Sequence, residues 1–313
     1  MHFGASGVDT SVLTPFVVAF GVSTLTSMGG VSGAFVLLPF QVSVLGFVGP
    51  AVTPTNHLFN VIAIPSGVYR YVREKRMLWP LALIIVVGTM PGVVVGSLAR
   101  IHLLPDPRNF KLFMGLVLLF IGSRLARKVL FRQPIPANKG RNAATTGASA
   151  ETPGSAVCAN APLAVRTLRF DWRRLEYEFQ GQTYGISTPS LALLTAGIGV
   201  IGGAYGVGGG AIIAPFLVSM YRLPVHTIAG STLLGTCLTS VVGVLFFSVA
   251  GPMLGTPNLA PDWLLGALFG AGGLAGMYTG ARLQKHVPAR AIEAVLAIAV
   301  TGLAVSYVIG FFR

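Results

Sequence analysis

Six segments of the chain, at about 53 to 71, 78 to 99, 109 to 127, 227 to 250, 263 to 281 and 290 to 312, stay apolar for close to 20 residues. That is the length of helix needed to cross about 30 Å of hydrocarbon. Inside lipid, only a helix or a closed barrel satisfies every backbone polar group, so runs of this kind dictate helices. Four further apolar segments, about 14 to 27, 34 to 47, 188 to 203 and 210 to 220, are shorter and come in pairs interrupted by glycine. They read as broken or re-entrant half-helices, and the chain as an all-α integral membrane protein. Composition agrees: 53% of the 313 residues are apolar and 10% charged, with a mean hydropathy of +0.74, far from the soluble norm.

Four regions follow. Residues 1–13 form an N-terminal segment without the basic region of a secretory signal. Residues 14–132 make a first membrane repeat. Residues 133–187 make a cytoplasmic linker, its Ala/Asn/Thr/Gly/Pro-rich part (134 to 162) too polar to fold alone, followed by a small β-hairpin around "QGQ". Residues 188–313 make a second membrane repeat.

The repeat is visible by eye. A shift of 176 places "GGVSGAFVLLPF" (29 to 40) on "YGVGGGAIIAPF" (205 to 216), matching Gly30 with Gly206, Val31 with Val207, Gly33 with Gly209 and Pro39 with Pro215. In the same register Asn56 falls on Thr232 and Asn60 on Thr236. Further on the shift becomes 184, with Gly92 and Gly96 on Gly276 and Gly280.

Charge orients the two copies. The loop "RYVREKR" (70 to 76) carries four cations and its counterpart (251 to 262) none, so equivalent loops are expected on opposite sides of the membrane. With the basic side cytoplasmic, 18 of the 22 cations lie inside, leaving Arg100, Arg108, Lys111 and Arg313 outside. The expectation is therefore two inverted-topology repeats, multi-pass in the membrane, with both termini outside. Because the cations flank apolar runs and build no basic domain, the net charge of +13 does not point to nucleic acid.

Inverted repeats with interrupted helices are the architecture of secondary transporters, with the site near the midplane where the copies meet. The start of a half-helix offers free amides and the positive end of a dipole, which favours anions. The expected substrate contacts are Gly30, Val31, Ser32, Gly33 and Ala34 in copy one and Gly206, Val207, Gly208, Gly209 and Gly210 in copy two. Asn56 and Asn60 share a helix face, as do Thr232 and Thr236; Ser231 and His57 extend the set. Eight of the nine acids lie outside the spans, and Glu293 sits near a helix end, so a cation carrier is disfavoured.

Blander readings compete. Glycines in membrane helices commonly serve close packing, which is the reading for Gly92/Gly96 and Gly276/Gly280. The Asn and Thr pairs could be interhelical hydrogen bonds, and His57 a structural histidine. "GIGVIG" (197 to 202) spells a dinucleotide fingerprint but lies in an apolar helix without a βαβ unit. Cys158 and Cys237 have no metal-ligand spacing, and no cofactor is expected.

"GGVSGAFVLLPF" and "GVGGGAIIAPF", each followed by a polar-headed helix ("VTPTNHLFN", "IAGSTLLGT"), and the later "GARLQKHVPARAIEAVLAI", resemble the sulfite exporter TauE/SafE family of bacterial membrane permeases. The resemblance covers about residues 14 to 127 and 188 to 312. It implies export of sulfite, sulfoacetate or related organosulfonates; the residues alone support only a small anion. Copy one departs from the glycine-rich pattern at Ser32 and Ala34. The reading is thus a transporter and not an enzyme, set in membrane lipid, with proton or sodium coupling open through His57 or backbone carbonyls, and a homodimer open as well. Transport of another small anion, a cation carrier, and an intramembrane enzyme built on His57 with Ser32 or Ser231 are the rivals; the last lacks a third orienting carboxylate.

Overall fold

The structure is a computed structural model, and it describes residues 1–312 except 5, 30, 131–164, 254–258, 285 and 288. The polar stretch expected at 134 to 162, with Cys158, lies outside the described residues, as does Gly30. The first half of the chain gives two short strands, β1 (His2–Phe3) and β2 (Val8–Asp9), then α1 (Leu13–Met28), α2 (Ala34–Ser43), α3 (Val52–Arg73), α4 (Trp79–His102) and α5 (Pro107–Leu130). A three-stranded sheet follows, β3 (Arg166–Phe170), β4 (Arg174–Phe179) and β5 (Gln182–Ser187), antiparallel in that order. The second half gives α6 (Thr188–Tyr205), α7 (Gly209–Ser219), α8 (Val225–Met253), α9 (Trp263–Leu283) and α10 (Ala289–Phe312). The fold is all-α apart from the strands, as the apolar runs require.

Four of the described helices, α4, α6, α8 and α9, are long and apolar enough to cross a membrane. One of them corrects the sequence reading. The apolar run at 188 to 203 reads as a half-helix by length, yet α6 continues for 18 residues. Its glycines stay helical because the backbone of α4 fills the space their side chains would occupy: a Cβ on Gly199 would lie 2.5 Å from the Thr89 carbonyl oxygen, and one on Gly203 would strike the Val93 carbonyl. By contrast α3 has 22 residues but begins with the polar stretch Thr53–Asn60 and ends with Arg70 and Arg73, so it falls short on hydropathy.

The two halves interleave. α1 packs on α9 and α6 on α4; α3 packs on α9 and α8 on α4; α5 packs on α10. Matching the helices in order, each of the first two pairings maps onto its partner under exchange of the halves. Residue contacts also give directions. Gly88 faces Thr195, Gly92 faces Ala196 and Gly96 faces Val200, so α4 and α6 run parallel. Phe16 meets Gly272, Phe20 meets Gly276 and Thr24 meets Gly280, so α1 and α9 also run parallel. Between α3 and α8 the order reverses, with His57 against Gly243 and Tyr71 against Gly230.

Each end of this bundle is tied by buried polar groups. At one end the Tyr71 hydroxyl donates to the Ser27 carbonyl and to Gln284 Oε1, 3.0 Å each, and Gln284 donates to the Met28 carbonyl at 2.5 Å. Arg76, 1% exposed, donates to Gln284 and lies 3.1 Å from Glu74. The sheet docks there: Val165 donates to the Lys75 carbonyl at 3.2 Å, and the Tyr177 and Thr227 hydroxyls are 3.0 Å apart. At the other end Asp262 caps α9 by accepting from the Leu265 amide at 3.0 Å, and its own amide donates to Thr55 Oγ1 at 2.8 Å. The β1–β2 hairpin covers this joint, inserting Phe3 and Val8 and donating the Ser6 amide to Asp262 at 3.1 Å. Sequence placed Asp262 outside the spans; it is buried under this hairpin, whose strands are too short to read from their residues.

Backbone contact between α4 and α6 yields a first prediction. A Cβ on Gly92 would lie 2.5 Å from the Ala196 carbonyl oxygen and 2.8 Å from the Val200 nitrogen, whereas one on Gly197 of α6 meets nothing within 4 Å. Gly92→Ala should therefore lower stability by about 1–3 kcal/mol, and Gly197→Ala by less than about 0.5 kcal/mol. Thermal unfolding of the detergent-purified variants reads the difference.

Candidate functional site

The break in each half falls where its chain turns back after the first helix, and both breaks sit beside the polar head of α3. After α6 the chain must leave the helix at Tyr205. Gly206, at φ +83°, and Gly208, at φ +76°, take the left-handed conformations that L side chains rarely adopt. The Gly202 carbonyl collects the amides of Gly206, Val207 and Gly208 at 2.9, 3.1 and 3.3 Å, and α7 starts immediately afterwards. In copy one the Val31 amide reaches the Thr26 carbonyl at 3.2 Å, and the Ala34 amide donates to Ser32 Oγ at 3.1 Å. Hence five of the amides expected to face an anion are engaged within the protein.

Two asparagines join the breaks. Asn56 Nδ2 donates to the Ala34 carbonyl at 3.0 Å and to the Gly206 carbonyl at 3.1 Å, while Gln41 donates to Asn56 Oδ1 at 3.2 Å. Asn60 Nδ2 donates to the Val207 carbonyl at 3.0 Å and to Ser240 Oγ at 3.1 Å, and Asn60 Oδ1 accepts from the Ser32 hydroxyl. Ser240 also lies 3.2 Å from His57 Nδ1. Ser32, Gln41, Asn56, His57, Asn60 and Ser240 are all 0% exposed, so this network is sealed from both ends. None of these hydrogen bonds involves a carboxylate.

The remaining expected residues divide. Thr232 and Thr236 bond back to their own helix, Thr236 to the Thr232 carbonyl at 2.9 Å, and pack on the start of α7: a Cβ on Gly210 would lie 2.6 Å from the Thr236 nitrogen. Gly209 faces Thr89 of α4, whose Cβ would lie 2.7 Å from a Cβ added to the glycine. Gly33 faces Ser23, whose hydroxyl would be 2.7 Å from an added Cβ. Ser231 stands apart from the network, donating to the Leu78 carbonyl at 2.8 Å at the start of α4. The structure brings in Ser240, Gln41, Ser23 and Thr26, which sequence reasoning did not single out. Ser23 Oγ and Thr26 Oγ1 are buried without hydrogen-bond partners beside the start of α2. Ser240 was findable: it lies one turn beyond Thr236 on the same face.

A family model, sulfite exporter TauE/SafE, matches residues 15–307. The chain belongs to that family. TauE/SafE proteins are transporters and not enzymes, so this chain is a multi-pass membrane transporter of sulfite or related small anions, working in lipid. The match spans both breaks and the asparagine network between them. Comparisons with curated proteins and with solved structures returned no match.

The network predicts strong coupling between Asn60 and Ser240. Asn60→Ala strands the Ser32 hydroxyl and the Val207 carbonyl, and Ser240→Ala strands one Asn60 donor, so each should cost about 1–3 kcal/mol. The double variant should cost less than the sum by about 0.5 kcal/mol or more. A double-mutant cycle on thermal unfolding measures it.

Proposed function

We propose that this TauE/SafE protein exports small sulfur-containing anions, sulfoacetate or another C2 organosulfonate or sulfite, by alternating access between two repeats inverted across a bacterial inner membrane. The observation that carries the reading is the buried, carboxylate-free network in which the side chains of α3 clamp the broken segments of both copies. An anion needs donors and no competing acid. Donors here are the two asparagine amides, the hydroxyls of Ser32, Ser23 and Thr26, and the amides at the starts of α2 and α7 around Gly33 and Gly209–Gly210, with the dipole of each half-helix behind them. His57 is the titratable group of the network and the place a coupled proton would be held.

Helix directions support the inversion. α3 and its equivalent α8 run oppositely, while α1 with α9, and α4 with α6, run parallel across the two copies. Topology follows from charge: Arg70, Arg73, Lys75 and Arg76 meet the sheet bearing Arg166, Arg169, Arg173 and Arg174 at one end of the bundle, and that basic end is cytoplasmic by the positive-inside rule. Both termini are then outside. Export needs no pump, since an inside-negative potential favours anion exit by about 2.3 kcal/mol per charge per 100 mV. The structure, sealed at both ends, fits an occluded step of that cycle.

Flux into or out of proteoliposomes tests the reading. Sulfoacetate and sulfite should move saturably, faster when the potential drives the anion, while taurine and an unrelated carboxylate move slowly. Flux of both sulfur anions no greater than through protein-free vesicles overturns the proposal.

A further inference from the structure

Two arginines are buried inside the bundle, and they differ in one respect. Arg76 is compensated by Glu74, 3.1 Å away, and by Gln284. Arg100, in the last turn of α4, is 0% exposed and has no carboxylate within salt-bridge distance among the described residues. Its Nε donates to Thr53 Oγ1 at 3.3 Å, its Nη1 to the Leu104 carbonyl, and its guanidinium lies 3.9 Å over the ring of Phe110. Nη2 is buried without any partner. The helix end and the Phe110 face offset part of the charge; they leave the Nη2 donors unused. The sequence places Arg100 among the four cations left on the outer side, and the structure buries it.

We infer that Arg100 is a specificity-determining anion contact, its Nη2 edge taking one oxyanion group of the substrate on the outer side of the asparagine network. Three observations converge. An uncompensated buried cation is costly unless an opposite charge comes to it, and with no described carboxylate within 4.0 Å of Arg100 a bound anion can bring that charge. Thr53, which holds Nε, packs directly on the left-handed Gly206, where an added Cβ would lie 2.7 Å from the Thr53 carbonyl oxygen, so Arg100 stands one residue from the broken segment that Asn56 clamps. The equivalent position in the second copy, 184 residues on, is Gln284, so the cation belongs to one end only and serves no symmetric packing need. Nη2 suits an oxyanion of a sulfonate, sulfite or carboxylate by a charge-assisted hydrogen bond, and release of Nε from Thr53 completes the two-bond fork. This inference rests on the proposed transport of such anions.

The experiment measures apparent Kd for sodium sulfoacetate and sodium sulfite, from anion-dependent thermal shifts of the purified full chain, for the wild type, Arg100→Gln and Arg100→Lys. Wild type should be stabilised saturably by both anions. Arg100→Gln should weaken both by on the order of tenfold or more, and Arg100→Lys, a point charge without the fork, should fall between. Reconstituted flux of the variants should show the same order in KM. Wild-type binding with an unchanged Kd in whichever variant is recovered folded overturns the role of Arg100 and leaves the transport reading standing. If the wild type binds neither anion, the transport reading falls, and this inference with it.

Discussion

A polypeptide cannot interrupt a helix inside an apolar bundle unless something else satisfies the carbonyls it frees. Here that burden falls on α3. Asn56 and Asn60, one turn apart, each send a side-chain amide to the broken segment of copy two, and each also reaches copy one, through the Ala34 carbonyl and the Ser32 hydroxyl. In a low-dielectric interior an unpaired carbonyl is expensive and a satisfied network correspondingly strong. The breaks therefore exist because α3 carries polar residues at its head, and the reduced hydropathy of that helix is the cost of permitting them.

That clamp works only if the copies approach closely, and glycine supplies the approach. Along α4 and α6, and again along α1 and α9, glycine Cα atoms rest on the carbonyls of the opposing helix. Lipid gives helices little hydrophobic reason to associate, so van der Waals contact between bare backbones must do so. The first helix of each half seats on the fourth helix of the other, so the two halves share one bundle. The Asn56 and Asn60 bridges then close a gap that backbone contact has already made narrow.

Much of this was legible in the residues. All ten described helices fall within a few residues of the apolar runs expected to form them or half-form them, because lipid leaves the backbone one solution. α6 was underestimated because glycine reads as a breaker when its packing partner is unseen; Gly199 and Gly203 stay helical only against Thr89 and Val93. The spacing of Asn56 with Asn60 declared a face but not its target. That face clamps carbonyls, and Gly202 takes three amides which a linear reading leaves open. The burial of Arg100 and Asp262 is not legible in the sequence for a single reason: charge near the end of an apolar run is normally solvated, and only tertiary structure shows that Phe110 and Thr53, or the β1–β2 hairpin, cover it.

A symmetric scaffold alone would leave the two ends of the bundle chemically alike. The side chains break that balance at each matched position. Copy one puts asparagines where copy two puts threonines, a hydroxyl at Ser32 where copy two has Gly208, and the uncompensated Arg100 where copy two has Gln284. At the basic end Gln284 instead gathers Arg76, Tyr71 and Met28 into a closed joint whose cation already has Glu74. In the proposed cycle, opening the basic end would break formed hydrogen bonds and expose a paired charge, whereas opening the other end would separate Asp262 from Thr55 and expose an arginine whose Nη2 lacks a partner. Hydrating an unpaired cation is favourable and hydrating a paired one gains little. In the proposed alternating-access cycle, an anion that pairs Arg100 would offset the cost of burying that cation, which would tie the state of the gates to the occupancy of the site.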